Sequence, residues 1–449
     1  MKTGRVISIM LVSFLLFFNS AQADLRKAER LITKNGLTVV LLERNALPFI
    51  TVHTAIKAGS YYDPREYPGL ANITAHLLTE GTSDKSASEI SEKIDFVGGS
   101  LSSGGGIDYS SASLTVLSKD RETGFELLSD ILINPSFAEE EIERAKSQIK
   151  AGIISKADDP STVATEAFNK ILFGKHPYSR PAEGDIQSVE KIEREDIVSF
   201  HNKFYRPNNT IMAVVGDINR KELVRLLNKY FGKWEEKRTE FSVAKEPGPA
   251  GSKRIKIIDK NITQANVEIG GIGMSRDNPD FYAAYVMNYI LGGGGFVSRL
   301  VTEIRDNMGL VYSVYSYFNP LKDKGPFKVG LQTKNSSAVQ AINEVIRQLK
   351  NIKDNGISEK ELQDAKDHLI GSFPLKFTTN KKIASYLTYI EIHNLGLDYM
   401  ERFPKIISDL TVDDINMAAG KYLDPENYLL VVVGNKEKIG DLEKSLDGK

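Results

Sequence analysis

Cysteine is absent from this 449-residue chain, tryptophan occurs once and histidine six times. Without cysteine there are no disulfides, no thiol nucleophile and no lipid-bearing cysteine behind a leader, so a packed core must hold the fold unaided. The histidines are scattered. None of His53, His76, His176, His201, His368 and His393 has another three or four positions away, the spacing that lets two share a helix face around a metal. Charge of one sign is lacking too. With 58 Lys+Arg against 59 Asp+Glu, nothing favours nucleic acid or an anionic membrane surface. There is no Gly-x-Ser-x-Gly, and the run Gly292 to Gly295 is not followed by the lysine of a phosphate-binding loop.

What is present begins at the N-terminus. Lys2 and Arg5 precede a mostly apolar run from Ile7 to Phe18, and Ala21-Gln22-Ala23 offers small residues for a signal peptidase. This predicts a leader over residues 1–23 and a periplasmic or secreted protein. A signal anchor is the alternative, but the run is short for spanning a bilayer. No later segment is apolar enough to span one.

The length exceeds one ordinary core, so two domains are expected. Residues 241–253, with Lys245-Glu246-Pro247-Gly248-Pro249-Ala250-Gly251, read as a linker between residues 24–240 and 254–449. The halves resemble each other. Asp196, Ile197, Lys203, Pro207, Asn209 and Gly216 recur at one constant offset as Asp414, Ile415, Lys421, Pro425, Asn427 and Gly434. Glu141, Ala145 and Lys146 recur as Glu361, Ala365 and Lys366 at nearly the same offset. Each first set reads as an amphipathic helix, a Pro/Asn turn and an apolar strand. An ancient duplication follows. The mixture of helices and strands predicts an α+β fold, each domain a largely antiparallel sheet with helices on one face. Strands are expected at Leu37 to Leu42, Ile50 to Lys57 and Ser111 to Leu117, and helices at Gly69 to Leu78 and Ala87 to Val97.

The segment Gly69-Leu70-Ala71-Asn72-Ile73-Thr74-Ala75-His76-Leu77-Leu78-Thr79-Glu80-Gly81-Thr82 resembles the zinc helix of the insulinase-like (M16) peptidases. In that family H-x-x-E-H sits in a similar frame. Its two histidines grip zinc from one helix face and its Glu activates the metal-bound water. Here the frame stands but Asn72 and Ala75 take the first His and Glu positions, and only His76 remains. The resemblance places the third ligand, a Glu, on a later helix. That place falls within Gln148-Ile149-Lys150-Ala151-Gly152-Ile153-Ile154, which holds no carboxylate. On its own, His76 reads as a satisfied helix histidine rather than a ligand. No zinc is expected in this chain.

The second half keeps a family signature. Gly292-Gly293-Gly294-Gly295-Phe296 leads through Arg299 and Glu303 to Arg305, then Met308-Gly309-Leu310-Val311-Tyr312. The resemblance implies that Arg305 and Tyr312 reach a zinc site on a facing domain. Read alone, Arg305 offsets a helix dipole and Tyr312 is an ordinary strand residue. Phe296, Leu300 and Ile304 are spaced as one buried helix stripe, and residues 311–316 should alternate as a strand. The four glycines can cradle an anion or form a flexible loop; the family's non-catalytic subunits use such a loop to handle substrate. The resemblance implies that Gly98 to Gly106, with Gly104 and Gly105, leads into an edge strand that can take a peptide by β-augmentation; read alone, the segment is a flexible hairpin.

The resemblance implies the zinc-free subunit of a heterodimeric metalloendopeptidase, similar to the non-catalytic subunit of the mitochondrial processing peptidase. Zinc is expected in the partner, and the substrate is an extended peptide. A homodimer, and a non-enzymatic scaffold or peptide-binding protein of the same fold, stay open.

Overall fold

The computed structural model describes residues 27–241, 244–248 and 252–447. The leader expected at residues 1–23 lies outside them. Two sheets organise the chain. The first contains β1 (Glu29–Ile32), β2 (Thr38–Glu43), β3 (Phe49–Ile56), β4 (Ser100–Gly105), β5 (Ser110–Leu117) and β6 (Thr210–Gly216), in the order β1-β2-β6-β3-β5-β4. The second contains β7 (Arg254–Asp259), β8 (Gln264–Ile272), β9 (Val311–Phe318), β10 (Pro326–Lys334) and β11 (Leu429–Gly434), in the order β7-β11-β8-β10-β9. With β1 set aside, the two orders coincide strand for strand. In each, one parallel pair (β2 with β6, β7 with β11) joins otherwise antiparallel neighbours. The protein is therefore α+β, built from two like domains.

The recurring sequence motifs explain the matching ends. Helices Arg194–Phe204 and Val412–Tyr422 each open with a capping box and two acidic residues in the first turn, which suits the positive end of the helix. A Pro/Asn turn follows each, then β6 or β11. Both strands are buried along their whole length, the mark of a strand covered on both faces.

One face of each sheet carries helices of its own half, as expected. The other face is covered by a helix from the opposite half. Helix Asn380–Ile392 lies on β3 and β6, and helix Pro160–Phe173 lies on β8 and β11. Strand alternation sorts the side chains between the two cores. Val39, Leu41, Met212 and Val214 face the first-half core, while Val40, Leu42, Ala213 and Val215 join the second. Leu429, Val431 and Val433 return the exchange. Polar contacts fix the crossings. Thr165 Oγ1 donates to Glu268 Oε1 at 2.9 Å, Arg44 donates to Asn380 Oδ1 at 2.8 Å, and Thr388 Oγ1 lies 3.2 Å from His53 Nδ1.

By strand order, β4 and β9 each end their sheet as an outer strand. Among the described residues no strand pairs with the free edge of either. Residues 244–248 have no regular structure. No helix of the described residues is long and apolar enough to cross a membrane.

Candidate functional site

Helix Leu70–His76 is short, ending two residues before the expected Leu78; Leu77–Thr79 continues it as a 3-10 turn. Its start is fixed twice. Gly69 adopts φ +98, and a Cβ there would meet the Glu183 carbonyl oxygen at 2.5 Å, so only glycine fits. Asp63 then accepts the Gly69 and Ala71 N–H groups, each at 2.8 Å. Burial pushes the Asp63 carboxyl up to about 7, opposed by those two bonds and by Arg180. Asp63 is a capping residue that sequence reading missed; it lies too far ahead of the helix for an ordinary N-cap pattern.

Asn72 and His76 are one turn apart and share a face, while Ala75 is fully buried. His76 Nε2 lies 3.3 Å from Gln148 Oε1 on helix Glu139–Asp158. The later helix therefore comes alongside the first, but it brings an amide. Gly152, one turn on, has nothing within 4 Å of an added Cβ. Glu80, the carboxylate just after the helix, is paired with Arg144 at 3.3 Å.

Strand β4 runs beside this helix. A Cβ on Gly105 would meet Asn72 Cα at 2.7 Å, so the glycine permits the close approach. Ser103 Oγ donates to the Ala75 carbonyl at 2.7 Å. Gly104 and Gly105 are thus ordered strand residues at a free edge, not a loose hairpin. A cavity of about 520 Å³ opens where β4 begins, against Thr79, Glu80 and Ile94. Another of about 360 Å³ opens where it ends, at Gly104, Gly105 and Gly106.

In the second half the glycine run is mostly packed. Tyr289–Gly293 forms a π-helical turn. A Cβ on Gly292 would meet Ser316 Oγ at 2.6 Å and Leu300 Cδ1 at 2.7 Å, and one on Gly294 would meet the Tyr289 carbonyl at 2.7 Å. These glycines let the turn lie against β9 and itself. Only Gly295, at φ +61, faces open space. The expected stripe is corrected. Leu300 and Ile304 are buried, but Phe296 is 74% exposed. The 3-10 turn Gly295–Val297 ends in extended backbone at Ser298, so Phe296 precedes the next helical segment and is out of phase with it. Its ring lies 5.0 Å from the Arg305 guanidinium. Arg305 also reaches Asp306 Oδ1 at 3.2 Å.

Tyr312 departs from strict alternation through a β-bulge. Val311 pairs with Thr333 and Ser313 with Gln332, leaving Tyr312 opposite neither. Val311 and Val314 turn inward while Tyr312 is 82% exposed. Bulges of this kind re-aim one side chain beside functional sites. Among the described residues no hydrogen bond or ring contact joins Tyr312 to Arg305; Tyr312 is exposed on β9, and Arg305 is half-exposed on the helical segment Val301–Asn307 that precedes it.

Residues 39–186 match the family model for the insulinase peptidases (peptidase family M16), and residues 191–369 match that of the peptidase M16 inactive domain. An uncharacterized zinc protease of Mycobacterium leprae is 30% identical over 404 residues, covering 89% of this chain and 90% of its own. The chain belongs to the M16 peptidase family. Another M16-like relative, the non-peptidase homolog YmxG of Helicobacter pylori, is 28% identical and covers 91% of this chain and 94% of its own. The crystal structure of a peptidase M16 inactive domain from Pseudomonas fluorescens matches 91% of this chain and 98% of its own, with a TM-score of 0.86 and 30% identity.

An M16 zinc ion needs two imidazoles and a carboxylate on the helices Leu70–His76 and Glu139–Asp158. The residues here do not fit it. One imidazole, an Asn, an Ala and a Gln occupy the site, and the described residues gather no group of three His, Cys, Asp or Glu anywhere. A neutral oxygen donor and a single histidine are a poor set for zinc.

Proposed function

We propose that the chain is the zinc-free subunit of a two-chain M16 peptidase. It closes a chamber with a zinc-bearing M16 partner and presents Arg305 and Tyr312 to the partner's site. The observation that carries this reading is the asymmetry between the halves. The first-half helix keeps its frame and cap but has lost the ligands. The second half holds Tyr312 outward by a bulge, and Arg305 stands half-exposed on the helical segment Val301–Asn307 that packs against β9. A residue kept only for packing has no need of that exposure.

The chemistry assigned to this chain is hydrogen bonding to the substrate carbonyl and to the oxyanion it becomes. The Arg305 guanidinium donates to a substrate carbonyl, and the Tyr312 hydroxyl donates to the oxyanion that forms when water attacks. An extended peptide lies along β4, whose free N–H and C=O groups can take one more strand. Bond cleavage belongs to the partner. The basic and apolar stretch ahead of Ala23 supports export, so the pair works outside the cytoplasm. A scaffold or peptide-binding role without catalysis is the second reading, favoured by the likeness to the H. pylori non-peptidase homolog.

Reconstitution tests the proposal. The mature chain is mixed with a zinc-bearing M16 chain of the same organism, and hydrolysis of a quenched fluorescent peptide is followed. The chain alone is expected to be inactive with added zinc, and the mixture to be active. Stable co-purification with no gain in hydrolysis over the partner alone would instead establish the scaffold reading.

A further inference from the structure

A third cavity, of about 890 Å³, lies in the second half between helices Phe281–Asn288, Asn380–Ile392 and Tyr399–Asp409. Its walls are Phe281, Tyr285, Tyr386, Tyr389 and Phe403, and its charged lining residues are Lys376, Lys381 and Lys382. No acidic residue lines it. Among the described residues no carboxylate pairs with these lysines. The Lys376 ammonium instead sits over the Phe373 and Phe403 rings at 5.6 and 6.0 Å.

Behind the wall is a buried cation. Arg276 is 4% exposed, with its guanidinium 3.8 Å from the Phe281 ring centre. It donates to the hydroxyls of Tyr389 and Tyr399, the latter at 3.3 Å. Among the described residues it too has no carboxylate partner. A buried guanidinium is costly without an anion. Here Phe281, Tyr389 and Tyr399 each touch Arg276 on one side and line the cavity on the other. Four positive groups therefore surround an aromatic hollow that supplies no negative charge.

This hollow continues toward β4. Ser385 and Tyr389 line it and also line the smaller cavity at Gly104, Gly105 and Gly106. The geometry points to a specificity subsite: we propose that the aromatic hollow takes an apolar side chain and its adjoining carboxylate, carried by a peptide that lies along β4. The apolar part fills the space between Phe281, Tyr386 and Phe403, and the carboxylate meets the lysines at the rim. The peptide reaches the hollow past Gly104 to Gly106. The proposal rests on β4 as a peptide edge; the subsite adds a preference for acidic, apolar sequence.

Fluorescence anisotropy of the mature chain with two labelled extended peptides tests it. Both share a Val/Thr-rich body; one ends in Phe-Asp amide, the other in Phe-Asn amide. The acidic peptide is expected to bind roughly tenfold more tightly, as one well-placed charge pair allows. The Lys381→Ala/Lys382→Ala variant is expected to bring it down to the Phe-Asn peptide's affinity and leave that peptide's binding unchanged. Equal binding of both peptides by the native chain would remove the subsite and keep β4 as a peptide edge. Binding of neither would remove the β4 reading itself. Dodecanoate binding without either peptide would make the hollow a small-amphiphile site and overturn the proposal.

Discussion

Single residues decide whether this chain handles metal. The helix Leu70–His76 and its neighbour Glu139–Asp158 approach closely enough for His76 and Gln148 to touch. What is missing is donor chemistry rather than backbone. Restoring donors should therefore restore affinity. The Asn72→His/Gln148→Glu variant is expected to retain stoichiometric zinc after dialysis, measured by mass spectrometry of the metal, while the native chain retains none. Failure of the variant would mean that the backbone, too, has drifted from a ligating geometry. Histidines elsewhere carry a different consequence. His201 is buried, and its Nε2 lies 3.0 Å from the Leu132 carbonyl. Burial pulls it down to about 4, against the hydrogen bond to that carbonyl. A histidine with a depressed folded value leaves the unfolded chain to take the proton first, so stability is lost as pH falls from about 6.5 toward 4. For His201 alone the loss at pH 5 is about 2 kcal/mol. Thermal melts of the native chain and His201→Gln at pH 7.5 and 5 should show a smaller acid shift in the variant. Equal shifts would place the acid sensitivity elsewhere.

At the scale of elements, the π-turn and the bulge present the second-half pair. Gly292 lets the turn pack on Ser316 and Leu300. Gly292→Ala is expected to cost about 1–3 kcal/mol by overpacking, read as a lower thermal midpoint. Gly104→Ala, with nothing near its added Cβ, should leave the midpoint nearly unchanged. These local features also mark where sequence reading ran out. The helices before β6 and β11 were legible because caps, Pro/Asn turns and apolar strands are local signals. The bulge at Tyr312 was not, because it depends on the register of β10. Phe296 kept the spacing of a helix stripe, yet the left-handed Gly295 broke the phase ahead of it. The ligand loss at Asn72 and Ala75 was readable from residue type alone. The approach of Gln148 to His76, the Asp63 cap and the aromatic hollow needed the packing of distant segments.

At the scale of the whole molecule, the duplication has become a reciprocal exchange. Each half lends one helix to the sheet of the other, and each core contains strand residues of both. Amphipathic periodicity predicts that such a helix has a buried face but not which sheet receives it. The halves should depend on each other. Expressed alone, residues 24–240 are expected to lose a cooperative melt and to bind a hydrophobic dye, because Val40, Leu42, Ala213 and Val215 lose their cover. Circular dichroism melts with and without co-expressed residues 254–449 check this. A sharp melt of the isolated half would mean that the exchange contributes little.

The same scale holds the central claim, that this chain contributes half of an active site to another. The direct measurement is the hydrolysis rate of a reconstituted pair in which this chain carries Arg305→Ala and Tyr312→Phe. With assembly verified by gel filtration, kcat is expected to fall by about a hundredfold or more, the cost of removing transition-state hydrogen bonds, with zinc content unchanged. A pair that assembles and cleaves at the native rate would contradict it.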